Sequence, residues 1–94
     1  MERELLVVVE ADPSRSHRAA EGLRIAAGLS MQPEIRLTVV LARKAGQPRQ
    51  GEASGRVDAE VWEGALADLA ENRVPVLEEE PRGVIWHGVI RFTD

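Results

Sequence analysis

The chain contains no cysteine. That excludes disulfides, thiolate metal sites, iron–sulfur clusters, and any cysteine nucleophile or persulfide carrier. It has no tyrosine, and its aromatic residues are confined to Trp62, Trp86 and Phe92. A core must therefore be assembled from Val, Leu, Ile and Ala. Lysine is almost missing too: Lys44 is the only one among twelve basic residues. No stretch approaches the roughly 20 apolar residues needed to span a bilayer, so no membrane partner is expected. The apolar run at 5–9 is short and follows Met1-Glu2-Arg3-Glu4, too acidic a start for a signal peptide, which makes cytoplasmic residence the expectation. Net charge is −4, so nucleic-acid binding has no global electrostatic support.

What is present fits one small α/β domain over residues 1–94, with 44% hydrophobic and 30% charged residues. A chain of this size buries only about 60–65% of its unfolded surface, which favours self-association. Leu5, Leu6, Val7, Val8 and Val9 form a continuous apolar run, the mark of a strand buried on both faces. Asp12 and Pro13 then open a helix over about 14–30, with Ala19, Ala20, Leu23, Ala26 and Ala27 at spacings of three and four. Residues 34–42 read as a second strand. A second helix follows Asp58, carrying the stripe Val61, Trp62, Ala65, Leu66, Leu69 and Ala70, and Asn72 and Pro75 end it. Residues 74–77 make a short third strand, which Pro75 either places near a sheet edge or makes start late. Residues 84–92 make the last, with Val84, Trp86, Gly88, Ile90 and Phe92 on one face. The order β-α-β-α-β-β predicts a small flavodoxin-like sheet with helices against it. It should be mostly parallel, because strand–helix–strand crossovers make neighbours parallel. The link at 80–83 is too brief for a crossover, so the C-terminal strand is expected to be antiparallel or to leave the sheet.

No residue pattern names a reaction. There is no Walker loop and no G-x-G-x-x-G after the first strand. His17 and His87 lack metal-ligand spacing, and neither a metal nor a cofactor is expected. No base is paired in sequence with Ser14, Ser16 or Ser54, so the chain reads as a non-enzyme. Ligands in open α/β sheets sit at the carboxyl ends of the strands. The candidate there is the first strand–helix loop, where Asp12, Ser14, Arg15, Ser16 and His17 offer free amides and side chains to an anion or a small molecule. The segment 43–56 holds Arg43, Lys44, Arg49 and Arg56 against Glu52 alone and lacks a hydrophobic period, so it reads as a long loop. Glu78, Glu79 and Glu80 read as a charged turn that discourages edge pairing. Trp86 and Phe92 on the last strand are the candidate interface.

The residues from Leu5 to Val9, the helix Ala20-Glu21-Gly22-Leu23-Arg24-Ile25-Ala26-Ala27-Gly28-Leu29 and the strand Leu37-Thr38-Val39-Val40-Leu41 together resemble the opening of DsrE/DsrF-like proteins, the sulfur-relay group that includes TusD. The resemblance covers about residues 4–45. It continues more loosely through 74–77, 82–84 and 89–92. It implies a three-layer flavodoxin-like fold and oligomers from dimers to hexamers. In active members of that family a persulfide rides on a cysteine just after the third strand. Here that region reads Val76-Leu77-Glu78-Glu79, so no family catalytic residue carries over. The resemblance therefore implies a non-catalytic interaction or assembly subunit, a homo-oligomer and a possible protein partner of a sulfur-relay system. The alternative is an anion- or small-molecule-binding domain that uses the first strand–helix loop.

Overall fold

The structure is a computed structural model that describes residues 2–12, 17–42 and 59–93. Its elements are β1 (Arg3–Val9), α1 (His17–Leu29), β2 (Ile35–Leu41), α2 (Ala59–Glu71), β3 (Val76–Leu77) and β4 (Gly88–Phe92). The segment 43–56, read from sequence as a long loop, lies outside the described residues.

The four strands form one sheet in the order β3-β2-β1-β4, and every neighbouring pair is parallel. This is α/β architecture of the small flavodoxin-like kind, with the 3-2-1-4 order of a doubly wound sheet. β1 is central. It pairs over its full length with β2, Arg3 opposite Ile35 and Val9 opposite Leu41, and its residues Leu5–Val9 pair with β4. That explains the unbroken run at 6–9: these residues have neighbours on both edges and cover on both faces, and each is at most 2% exposed.

The expected antiparallel last strand is corrected here. β4 is parallel to β1 and lies at the opposite margin of the sheet from β3. The reason is the length of the connection. β4 begins at Gly88, so the link is residues 78–87. Ten extended residues reach roughly 33 Å, ample to cross three strand spacings of about 4.8 Å and return to the start of the sheet.

Handedness then decides which face each connection covers. β1→α1→β2 and β2→α2→β3 step in one direction across the sheet, and right-handed crossovers put both helices on the same side. Val7, Val9, Leu37 and Val39 accordingly share a core with Ala19, Leu23 and Ala26 of α1 and Trp62, Ala65 and Leu69 of α2. The third connection steps backwards and so crosses the other face. There Leu6, Val8 and Val40 are buried with Trp86 of the link against them. Among the described residues no helix covers this second face, so the three-layer arrangement is reduced to two layers and a strap.

Local chemistry fits these positions. In α2 the residues 62, 65, 66 and 69 turn inward, while Val61 and Ala70 lie at the rims of the stripe and are exposed. The helix ends with Arg73 at φ 58°, where Arg73 N–H donates to the Ala70 carbonyl and Val74 N–H to that of Leu69. That is the paired closure usually built on glycine. The Ser30 hydroxyl donates to Ala27 O at the end of α1 and accepts from the Asn72 side chain at 2.9 Å, joining the two helix C-termini. Gly22 allows α1 to sit on β4: a Cβ there would lie 2.6 Å from the Phe92 ring.

Candidate functional site

The sheet has its switch point between β1 and β4, because the connections leaving β1 and entering β4 run over opposite faces. The carboxyl ends of these two strands are closely tied. Glu10 N–H and Ala11 N–H both donate to the Phe92 carbonyl, at 2.8 and 3.0 Å. Asp12 follows, half-buried, and His17 opens α1 on the exposed side. Next to it the Arg18 guanidinium donates to the Thr93 carbonyl at 3.2 Å. Ser14, Arg15 and Ser16, the other members of the loop read as an anion site, lie outside the described residues. The structure therefore brings Asp12 and His17 to the switch point.

A group that the sequence reading did not assemble stands beside this crevice on the second face. Arg91 of β4 reaches Glu10 Oε1 at 3.1 Å and Glu80 at 2.7 Å, joining β4, the end of β1 and the strap. The hydrogen bonds to Glu80, and then those to Glu10, raise the Arg91 guanidinium above its ordinary value. All three side chains are partly exposed, so this is a surface clamp holding the strap to the sheet rather than a buried charge site. Glu80 belongs to the acidic turn read from sequence. Its role could have been found only from the parallel β1–β4 register, which sets Arg91 opposite Val8 and so beside Glu10.

The two candidate interface residues lie on opposite faces, which corrects the alternation drawn through 84–92. Phe92 packs on the helix side over Gly22. Trp86 packs on the other side against Leu6, Val8 and Val40. The alternation fails because residues 84–87 are not strand. His87 turns the chain into β4 instead: its N–H donates to Glu4 O at 2.8 Å, and its Nδ1 accepts from Glu4 N–H at 2.8 Å. Both rings are half-buried within their own chain. The most exposed apolar side chains near them are Val84, Ile85 (90% exposed), Val89 (45%) and Ile90 (38%).

On the outer side of the helices, Arg24, Gly28, Met31, Glu60, Gly64 and Asp68 border an open groove of about 450 Å³. Small residues line it too: Ala27, Gly28, Gly64 and Ala65. Among the described residues no three His, Asp or Glu side chains gather as metal ligands would, and no helix is long and apolar enough to cross a membrane. Compared with known proteins, the chain matches no family model, no curated protein and no solved structure.

Proposed function

We propose that the chain is a non-catalytic interaction or assembly subunit, with a DsrE-like sulfur relay as the setting its sequence suggests. The observation that carries this reading is the thin cover of the second face. In a doubly wound sheet that face is packed under helices. Here a single strap with one tryptophan lies over it, and Leu77, Val84, Ile85 and Val89 stay between 37 and 90% exposed. Exposed apolar residues gathered along one sheet face mark a surface that works by contact. Without a thiol the chain cannot itself hold a persulfide, so in a sulfur relay it would act beside a carrier.

The rival reading, an anion at the first strand–helix loop, has less support. The described part of that crevice is lined by the carboxylates Glu10 and Asp12, and its arginines Arg18 and Arg91 are already engaged. Native mass spectrometry of the purified chain separates the two readings. The expected result is assemblies at multiples of the 10.3 kDa monomer. A strict monomer carrying a retained anionic small molecule would overturn the assembly reading.

A further inference from the structure

Beside the thinly covered second face, the margin of the sheet offers a further means of joining. β4 is a marginal strand of five residues, Gly88-Val89-Ile90-Arg91-Phe92, with no proline, no lysine and no partner on its outer side among the described residues. The register fixes which backbone groups face outward. Phe92 O accepts from Glu10 N–H, so Gly88, Ile90 and Phe92 turn their N–H and C=O groups towards β1. Val89 and Arg91 therefore turn theirs away from the sheet.

We propose that two copies of the chain pair through β4, antiparallel, about a two-fold axis at Ile90, joining two four-stranded sheets into one of eight. The inference rests on the assembly reading and adds the strand through which two copies join. The occupant is a second copy because β4 complements itself. With Ile90 opposite Ile90 of the second copy, Val89 faces Arg91 and Arg91 faces Val89, so the outward N–H and C=O groups of both residues meet partners on each side. No like charges stand directly opposite, since each guanidinium faces a valine and is balanced by Glu10 and Glu80 of its own chain. Gly88 falls opposite Phe92, so the ring meets no opposing side chain there. The strip is short. A strip of five residues is expected to hold only a weak dimer.

The absence of cysteine makes the test clean. In this register Ile90 and its mate form a non-hydrogen-bonded pair with Cα atoms about 4.5 Å apart, within disulfide range. Under mild oxidation at about 0.1 mM protein, Ile90→Cys should form a covalent dimer within minutes and be blocked by adding Val89→Pro, which removes an outward N–H. Leu77→Cys on β3, equally exposed at 37%, should not cross-link. Far-ultraviolet circular dichroism establishes that each variant folds. Should Val89→Pro fail to fold, sedimentation of Ile90→Lys and Ile90→Glu serves in its place: each alone should associate at least tenfold more weakly than wild type, and their mixture should recover. Absent or equal cross-linking at Ile90 and Leu77 would overturn the proposal. If assemblies still appear by native mass spectrometry, only the β4 surface fails; if none appear, the assembly reading fails with it.

Discussion

At one margin of the sheet β3 presents two residues, Val76 and Leu77, with Pro75 before them and Glu78, Glu79 and Glu80 after. At the other margin β4 presents five, flanked by His87 and Thr93. Side-chain exposure does not separate the two: Val76 is 39% exposed and Ile90 38%. The backbone does. A two-residue strand behind a proline offers almost no row of free N–H and C=O groups, whereas β4 offers a self-complementary one. Edge protection in this molecule is thus a matter of strand length and local sequence, and it has been applied to one margin only.

The comparison can be broken most severely by removing what holds β4 in register. Trp86 is the strap residue that packs, half-buried, against the second-face core of Leu6, Val8 and Val40. Trp86→Ala should cost about 2 kcal/mol, roughly half the usual loss for a fully buried aromatic ring. Amide exchange should then rise over 88–92 before it rises over 76–77. Urea denaturation together with exchange measures both; equal loss of protection at the two margins would show that the strap does not govern β4.

A somewhat smaller effect is expected from Gly22→Ala. The new methyl group would sit 2.6 Å from the Phe92 ring, forcing the ring or the helix to move. The overpacking cost, about 2 kcal/mol, outweighs the gain in helix propensity of about 1 kcal/mol. A net loss near 1 kcal/mol in chemical denaturation is expected. Phe92→Leu in the same chain should restore part of it. A variant as stable as wild type would mean that α1 and β4 part without penalty.

The smallest effect concerns the clamp. Arg91→Gln removes the positive member of the Glu10–Arg91–Glu80 group. The strap at 78–87 should exchange faster, the salt sensitivity of that exchange should vanish, and β3 should be unchanged. Because the Arg91 value is raised, alkaline loss of the clamp's contribution waits until pH rises through that raised value. Raising pH from 7 to 10 should therefore leave wild-type strap exchange unchanged after correction for the intrinsic pH effect on exchange rates.

These edges also show where sequence reading succeeds and where it stops. β1, β2 and both helices were legible because their signals are local: an apolar run, an alternation and a spacing of three and four. Pro75 marked β3 as marginal for the same reason. The start of β4 was misjudged because Val84, Trp86 and Gly88 satisfy a two-residue period whether or not the chain is extended. Its direction was misjudged because parallel pairing with β1 is a relation between residues more than eighty positions apart, with no local imprint. The same distance hid the Arg91 clamp. Of the loop read as a binding site, Asp12 and His17 lie near the strand ends, a consequence of the β-α-β order alone.

The central position of β1 has a bearing on biogenesis. Its partner on one side, β2, follows after one helix, but its partner on the other side is made only at residues 88–92. During synthesis Leu6 and Val8, which end almost fully buried, lack their final cover until Trp86 and β4 have emerged. The nascent chain thus carries an unfinished apolar strand through most of its translation. A holding chaperone that binds extended hydrophobic segments would find its natural target at residues 5–9, and its release should coincide with the docking of β4.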